Sequence, residues 1–247
     1  MTRPGLVSFG MYPFPELDQG YDALWAEVAR RLDWVPETID RTTPVAQAWR
    51  DPSLVVGQAC GWPLVTTLGS SVTLLGGFRL SLGDAVGTHY RSVILARDPL
   101  GPDGFVGLRA GVNSLDSLSG WISLLNTAVP GAAHWPGPVM LTGSHALSLE
   151  ALLDGVVDVA SFDEVSLAHL TRRQPDVLRP LVEVGRGPLV PSLPLVTSAS
   201  TPEERVAELI DALSFASIGR HELLIDGFEA TPLGEYEALR SLVPELR

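Results

Sequence analysis

Short apolar segments alternate with amphipathic segments along most of the chain, and this alternation restricts the possible folds more than any other feature of the sequence. Leu6–Met11, Leu54–Ala59 and Val72–Leu80 have the length and composition of buried strands. Between the first two, apolar residues recur at helical spacing and predict a helix over Asp18–Leu32. Strands separated by helices in this way favour βαβ units and a mostly parallel sheet with helices on both faces.

A second series of strands and helices follows between about Tyr90 and Gly185 and predicts a second sheet of the same α/β type. Its predicted strands are Tyr90–Arg97, Phe105–Val112, Pro138–Thr142, Asp158–Phe162 and Leu181–Val184. Its predicted helices are Ser119–Ala128, Ala146–Asp154 and Glu164–Arg173. After this series, Leu193–Thr197 is predicted to return as a strand to the first sheet.

The C-terminal part of the chain is predicted to be helical. Thr201, Pro202 and Glu204 have the spacing of a capping box ahead of a helix that ends near Ala216. A last helix is predicted over Gly234–Leu242. No repeat of solenoid period and no low-complexity tract interrupts this α/β pattern.

Composition and charge exclude several classes of function. The net charge of −12 argues against nucleic acid or an anionic membrane surface as the main partner. All 17 basic side chains are arginine, so Schiff-base chemistry, a lysine-bound pyridoxal phosphate and a Walker A lysine are excluded. The five histidines show no metal-ligand spacing with each other or with carboxylates, and no dinucleotide fingerprint occurs, so neither a metal nor a cofactor is expected.

The start of the chain and its cysteine content bear on the cellular compartment. Strand-like sequence begins directly after Met1, with no export signal and no apolar stretch of membrane-spanning length, so a cytoplasmic protein without membrane insertion is expected from the sequence as written. A periplasmic location is expected instead if a signal was trimmed away. Cys60 is the single cysteine and gives no evidence about the redox compartment.

The segment Asn113–Trp121 joins a predicted strand to a predicted helix. Ser117, Ser119 and Gly120 place hydroxyl groups and backbone N–H groups where that helix begins. A helix start combines unpaired N–H donors with the positive end of the macrodipole, which favours an anion. The simpler interpretation, that one serine only caps the helix, stays open from the residues alone.

Other polar or aromatic residues follow predicted strands in the same way, at the edge where ligands bind in open α/β sheets. Ser144 and His145 stand at the next helix start, where His145 is either a donor to an anion or an ordinary first-turn residue. Tyr12 and Trp62 either wall a ligand or belong to the core. Asp163 either receives an amine or simply stabilises a helix start.

Five motifs resemble one known family, the phosphate/phosphonate-type (PhnD-like) substrate-binding proteins of ABC transporters. Gly57–Pro63 is similar to that family's Gly-Gln-Thr-Cys-Gly-Tyr-Pro turn, and Tyr90–Ile94 is similar to its Tyr-Arg-Ser-Val crossover strand. Asp116–Gly120 resembles its Ser-x-Ser-Gly anion loop, and Gly143–His145 resembles its next helix start. Asp158–Asp163 looks like its Val-Asp-Ala-Ala-x-Asp strand end. The motifs occur in the family's order over nearly the whole chain.

The resemblance implies a two-lobed, type II periplasmic-binding-protein fold with a ligand cleft between the lobes. Lobe 1 would comprise residues 1–89 plus 188–247 and hold both chain ends, and lobe 2 would comprise residues 90–187. The hinge would lie near residues 88–92 and 185–192.

The same resemblance guides the prediction of the ligand site. The predicted ligand-binding residues are Tyr12, Trp62, Tyr90, Asn113, Ser117, Ser119, Gly120, Ser144, His145 and Asp163. Within that set, Ser117, Ser119 and His145 would hold a phosphoryl-like group, while Tyr12 and Trp62 would close the cleft. No catalytic residue is assigned.

The chain departs from the family pattern at three points. Leu118 stands where phosphonate binders commonly have Thr, which removes one hydroxyl donor. Trp62 replaces the usual Tyr and lacks its phenol oxygen. The export signal is also missing, so the chain looks closer to a signal-less branch of the family. Asp163 would face the other end of the ligand.

The favoured function is therefore the binding of a small anionic or zwitterionic, phosphate- or phosphonate-like ligand, possibly in partnership with an ABC transporter permease. A cytosolic enzyme on the same scaffold, of the kind that acts in menaquinone or pyrimidine-precursor biosynthesis, is the main alternative, with His145 or Asp163 as its acid or base. A ligand sensor that contacts a partner protein is a third.

Overall fold

The structure is a computed structural model that describes residues 4–83, 85–101, 103–132 and 134–242. The chain divides into two compact units. The first contains the described residues of Met1–Tyr90 and Pro191–Glu237, and the second those of Arg91–Val190 and Ala238–Arg247. Residues 238–242, which the sequence prediction placed in lobe 1, thus group with the second unit, where the Asn126 side chain donates a hydrogen bond to the Leu242 carbonyl at 2.9 Å.

The secondary structure alternates as the sequence pattern predicts. The strands are β1 (Leu6–Ser8), β2 (Leu54–Gln58), β3 (Val72–Leu80), β4 (His89–Tyr90), β5 (Ser92–Ala96), β6 (Ala110–Val112), β7 (Val139–Leu141), β8 (Val159–Asp163), β9 (Val182–Arg186), β10 (Val190–Pro191), β11 (Pro194–Ser198) and β12 (Ile225–Glu229). The α-helices are α1 (Asp18–Arg31), α2 (Val45–Ala48), α3 (Gly61–Pro63), α4 (Ser123–Ala128), α5 (His145–Leu153), α6 (Glu164–Arg173), α7 (Glu203–Ala216) and α8 (Leu233–Glu237). Two π-helical segments, Leu64–Leu68 and Leu118–Ile122, continue α3 and precede α4.

The first unit contains a five-stranded mixed sheet in the order β1-β2-β11-β3-β12. β1 and β2 pair in parallel, and β11 inserts antiparallel between β2 and β3, so that three of the five strands run in one direction. Trp25 of α1 is 1% exposed, and its indole N–H donates to the Pro36 carbonyl at 2.8 Å. Burial of a tryptophan with its one donor satisfied anchors α1 on this sheet.

The second unit contains a five-stranded sheet in the order β7-β6-β8-β5-β9. β6 pairs in parallel with both β7 and β8, β5 is antiparallel to β8 and β9, and four of the five strands therefore run in one direction. Phe162 and Leu152, neither exposed, belong to the apolar cluster that packs α5 and α6 on this sheet. A separate two-stranded sheet pairs β4 with β10.

Several element boundaries differ from the sequence prediction for physical reasons. The strand predicted over Phe105–Val112 begins only at Ala110, because Gly104 and Gly107 have φ values of +58° and +79° and turn the chain before it. The predicted capping box is wrong: Pro202 is the N-cap of α7, and the Thr201 hydroxyl bonds to the Thr197 hydroxyl at 2.8 Å instead.

β12 is a strand that the sequence prediction missed. Its burial pattern is irregular, with Gly227 and Phe228 both buried, and its Asp226-Gly227 pair is typical of a turn. β12 pairs antiparallel with the edge of the longer strand β3. Tertiary pairing therefore overrides a weak local preference here.

Gly76 of β3 is expected to be indispensable for the first sheet. Its φ is +149°, and a Cβ there would lie 2.1 Å from the Glu229 carbonyl oxygen of β12. Gly76→Ala should therefore lower the free energy of unfolding by more than about 2 kcal/mol, measured by urea denaturation. Gly234→Ala in α8 is the matched control, since no atom lies within 4 Å of its added methyl group and alanine suits a helix. Equal midpoints for the two variants would contradict this account of Gly76.

Candidate functional site

Three helix starts meet at one edge of the second sheet. β7, β6 and β8 are neighbours that run in the same direction, so their carboxyl ends lie at one edge. The helical segments that follow them begin at His145, Leu118 and Glu164 respectively. Each helix start presents N–H groups and the positive end of its dipole, and the strand order places the three side by side.

The residue before each helix is a side-chain cap. The Ser117 hydroxyl accepts the Gly120 N–H at 3.0 Å, and the Ser144 hydroxyl accepts the Leu147 N–H at 3.1 Å. One Asp163 carboxylate oxygen accepts the Ser166 N–H at 2.9 Å. The capping interpretation thus holds for Ser117, Ser144 and Asp163, although a serine hydroxyl that accepts one hydrogen bond can still donate its own proton.

Each helix start also has backbone donors for which the helix itself supplies no acceptor. The N–H groups of Ser119, His145 and Glu164 belong to the first turns of the three helical segments. Such groups prefer an acceptor, from water or from a ligand, to an apolar neighbour. The sheet edge therefore holds three separate backbone donors besides its hydroxyl groups.

His145 connects the three helix starts. Its Nε2 atom lies 3.0 Å from the Ser119 hydroxyl oxygen and accepts the Asp163 backbone N–H at 3.4 Å. Because a backbone N–H can only donate, Nε2 acts as an acceptor, and the neutral ring carries its proton on Nδ1. Ser119 then donates its hydroxyl proton to the same nitrogen.

The surroundings of His145 favour its neutral form. Burial lowers the pKa of His145 below its usual value, while the Asp163 carboxylate and the Ser161 backbone act in the opposite direction. Nδ1 is buried and has no hydrogen-bond partner among the described residues. The ring packs against Phe162, with the ring centres 6.0 Å apart. The imidazole is thus fixed in position, uncharged, with Nε2 directed at Ser119 and Asp163.

Gly120 and Asn113 fit together at the same edge. A Cβ atom on Gly120 would lie 1.8 Å from the Asn113 side-chain oxygen, so only glycine leaves room for this asparagine. That oxygen is buried without a hydrogen-bond partner among the described residues, while the Asn113 carbonyl accepts the Gly143 N–H at 3.1 Å. Asn113 therefore links the end of β6 to the turn before α5.

Ser161 is a site residue that sequence reasoning missed. Its hydroxyl donates to the Ser119 carbonyl at 2.6 Å, and the residue is 1% exposed. The bond joins β8 to the first turn of the π-helical segment that begins at Leu118. The available signal was a hydroxyl residue inside an otherwise apolar strand, two positions before Asp163.

Glu164, the first residue of α6, adds a second acid next to Asp163. Burial raises the pKa of Glu164, partly offset by a hydrogen bond from the Arg91 backbone, and the charges of Asp163 and Glu183 act in the same direction as burial. One of its carboxylate oxygens is buried and has no hydrogen-bond partner in the described chain. The site thus combines donors with two neighbouring acids.

Three predicted ligand residues belong to the first unit. Tyr12 follows β1 and Trp62 lies in α3, and both side chains are largely buried. Tyr90, in β4, is 1% exposed. Their contribution to ligand binding stays a prediction, whereas Asn113, Ser117, Ser119, Gly120, Ser144, His145 and Asp163 all lie at the one edge of the second sheet.

Over the described residues, no group of three or more His, Cys, Asp and Glu side chains is arranged to hold a metal ion. No helix in those residues has both the length and the apolar character needed to cross a bilayer.

The fold is that of the type II periplasmic binding proteins, with two mixed sheets flanked by helices. The model of the family described as "ABC transporter, phosphonate, periplasmic substrate-binding protein" matches residues 83–227, more than half of the 247-residue chain. The chain belongs to this family. A substrate-binding component of an ABC transporter binds a small ligand and works with a permease. No curated protein matches the chain.

Solved structures with the same fold include a protein in complex with methylphosphonate and a component of a phosphonate transporter. PhnD1 from Prochlorococcus marinus, in complex with methylphosphonate, has a TM-score of 0.77 and 14% identity, covering 98% of this chain and 97% of that chain. A binding-protein component of an ABC phosphonate transporter from Pseudomonas aeruginosa has a TM-score of 0.76 and 16% identity, covering 97% of this chain and 85% of that chain. A Xanthomonas citri protein bound to ATP has a TM-score of 0.69 and 16% identity, covering 93% of this chain and 95% of that chain. At sequence identities this low, the similarity to these structures shows a shared fold alone.

The buried imidazole should make stability depend on pH. Because the pKa of His145 is lower in the folded than in the unfolded chain, the unfolded chain binds more protons below about pH 6.5. The contribution of His145 to the free energy of unfolding should therefore rise as pH rises towards 6.5 and then level off. The measurement is urea denaturation of the ligand-free protein and of His145→Gln from pH 5 to 8. The difference between wild type and variant should grow with pH; parallel profiles would contradict the lowered pKa.

Proposed function

We propose that the second unit binds a small anionic or zwitterionic ligand of the phosphate or phosphonate type at the edge where β7, β6 and β8 end. The observation that carries the proposal is the contact of His145 Nε2 with the Ser119 hydroxyl and the Asp163 N–H, which draws three helix starts together. A tetrahedral anion has three or more oxygen acceptors and therefore suits several converging donors better than a single helix start does.

The free energy needed for binding supports a site with several hydrogen-bond donors. A charge at one helix start is stabilised by roughly 0.3–1 kcal/mol, or about 2 kcal/mol when it is partly buried. Micromolar affinity requires about 8 kcal/mol. Three helix starts supply at most about 6 kcal/mol of this. The hydroxyl groups of Ser117 and Ser119 and a protonated His145 are proposed to supply the remainder as charge-assisted hydrogen bonds.

The resting hydrogen bonds of His145 favour binding over acid–base catalysis. In a Ser-His-Asp relay, a carboxylate orients the Nδ1 atom of the histidine. Here Nδ1 has no hydrogen-bond partner among the described residues, and Asp163 approaches Nε2 through its backbone N–H. We therefore place a ligand, and not a reacting substrate, at this edge.

Family membership and the site together support a role in transport. We propose that the bound ligand is the cargo passed to a permease, with the serine segment Ser117–Gly120 as the primary anion contact. Asp163 and Glu164 bring negative charge close to that contact, which favours a ligand with a positive group near its anionic end.

Replacement of Ser119 should weaken anion binding. Ser119→Ala removes the hydroxyl that bonds His145 Nε2 and leaves the capping hydroxyl of Ser117 in place. In a thermal-shift series with phosphate, phosphite, methylphosphonate, 2-aminoethylphosphonate and sulfate, the wild type should be stabilised by about 2.7 kcal/mol at a ligand concentration 100 times Kd. The variant should bind at least tenfold more weakly, so that its stabilisation at the same ligand concentration falls to about 1.4 kcal/mol or less.

The matched control is Ser214→Ala. Ser214 lies in α7 of the first unit, and its hydroxyl bonds to the Ile210 carbonyl of its own helix. This variant should respond to ligand as the wild type does. Failure of every anion to stabilise the wild type, or equal responses from the two variants, would refute the proposal.

The charge of Asp163 should select among the ligands. Asp163→Asn removes the charge and keeps an oxygen that can accept the Ser166 N–H, so the cap of α6 is preserved. If the ligand carries an amine, the variant should bind 2-aminoethylphosphonate about tenfold more weakly and methylphosphonate more tightly. Calorimetric titration of both compounds measures the change. Parallel changes for the two ligands would exclude Asp163 as the partner of an amine.

A further inference from the structure

β7 is an edge strand of the second sheet, and its apolar side chains are exposed. Val139 is 41% exposed, Met140 43% and Leu141 59%. In the sheet order of the described residues, β6 is the one neighbour of β7. A strand in this position presents a row of backbone N–H and C=O groups to which another strand can pair. We call the side of Val139–Leu141 that faces away from β6 the β7 edge.

The other three edge strands of the two five-stranded sheets are protected. The Val7 carbonyl of β1 accepts the Asp40 N–H at 2.8 Å, so another segment of the chain covers that edge. β12 carries the exposed Asp226, and β9 carries the exposed Glu183 and Arg186, whose side chains pair at 2.7 Å. Covering segments and charged side chains are the usual means by which natural sheets prevent pairing between edges. β7 differs, because it is exposed and its sequence contains no charged residue.

The outward backbone groups of β7 belong to Val139 and Leu141. A β6 N–H donates to the Pro138 carbonyl at 2.9 Å, and a β6 carbonyl accepts the Thr142 N–H at 2.8 Å. Peptide groups alternate in direction along a strand, so the N–H and C=O of Met140 face β6 as well. The N–H and C=O groups of Val139 and Leu141 therefore point away from β6, towards the β7 edge.

A second copy of β7, laid antiparallel, matches these groups. When Met140 lies opposite Met140 of the second copy, on a two-fold axis, Val139 lies opposite Leu141 of the second copy. Val139 and Leu141 then form the hydrogen-bonded pairs, and the two Met140 residues form the non-hydrogen-bonded pair between them. Opposed residues project to the same face of a sheet, so valine packs on leucine on one face and methionine on methionine on the other. The β7 edge is thus complementary to itself, as a two-fold interface requires.

The sequence around β7 lacks the charge that opposes contact between copies of this chain. The net charge is −12, so two copies repel each other over most of their surface. Between Asp116 and Glu150, however, the sequence contains no Asp, Glu, Lys or Arg. Two copies of an acidic protein meet with least repulsion where both are uncharged. This argument favours a second copy of the chain over a partner that binds through charged groups.

We propose that the β7 edge is the interface of a homodimer, in which the sheets of two second units join across a two-fold axis into one continuous sheet. The interface is separate from the serine segment and does not depend on the proposed anion site. A strand of three residues on each side buries little surface, so the dimer forms reversibly and belongs to the weak class of interfaces.

Sedimentation velocity of the full chain measures the association directly. Between about 1 and 100 µM protein, the chain should show a monomer–dimer equilibrium with a Kd below about 100 µM. A monomer over this whole range would overturn the proposal and would leave the β7 edge to a strand of another protein.

A charge on the β7 edge should prevent the association. Leu141→Lys places an ammonium group among the apolar side chains of the interface and should weaken dimerisation at least about tenfold. Val182→Lys is the matched control, because it makes the same substitution at an exposed apolar residue of β9, the other edge strand of the sheet. The control should change the Kd less than about twofold. Equal dimerisation of the two variants would overturn the assignment to β7.

Disulfide cross-linking tests the register of the two strands. Met140→Cys places two thiols opposite each other in the non-hydrogen-bonded pair, where the Cα atoms lie about 4.5 Å apart, within the range that a disulfide spans. Val139→Cys places them out of register and is the matched control. Under mild oxidation with copper phenanthroline, the first variant should form covalent dimers at least about tenfold faster than the second. The native Cys60 is buried, so the wild type should stay uncross-linked. Equal rates for the two variants would overturn the two-fold pairing.

Discussion

The parallel pairing of β6 with both β7 and β8 is the constraint on which the candidate site depends. Parallel neighbours end at the same edge, and each of these strands is followed by a helical segment. Three sets of unpaired N–H groups consequently face one small region, although the residues involved span Asn113 to Ser166 in the sequence. The hydrogen bonds of His145 to Ser119 and Asp163 then fix the spacing of those helix starts. A slip of one residue in either strand pair would separate them.

The role of His145 in the resting site is set by its neighbours more than by its own chemistry. A backbone N–H from Asp163 makes Nε2 an acceptor, and burial disfavours the charged ring. An anionic ligand would reverse both conditions, because it supplies negative charge and needs a donor. At the proposed site, ligand binding and proton uptake by His145 are therefore expected to be coupled, and the affinity for an anion should depend on pH through this one ring.

Most strands and helices, and the residues at the helix starts, could be predicted from the sequence. The features that could not be predicted were missed for specific physical reasons. Val72–Leu80 and Glu164–Arg173 were located to the residue, because apolar periodicity and flanking breakers were clear. β12 was missed because an Asp-Gly pair resembles a turn until β3 supplies a partner strand. Ser161 was missed because a buried serine gives no sign of what it bonds. The resemblance to the family placed His145 in the site. That His145 Nε2 accepts a hydrogen bond could not be predicted, because its donor, the Asp163 N–H, lies 18 residues away in the sequence.

A net charge of −12 does not conflict with an anion site, because the relevant field is local. At physiological ionic strength the Debye length is about 8 Å, so surface carboxylates beyond that distance contribute little to a ligand held by direct hydrogen bonds. The charges that matter are the nearest ones, and at this edge they are Asp163 and Glu164. Burial raises the pKa of Glu164, and the charge of Asp163 acts in the same direction. Selectivity between a plain anion and a zwitterion should thus depend on Asp163, the acid that caps α6 and touches His145 through its own backbone.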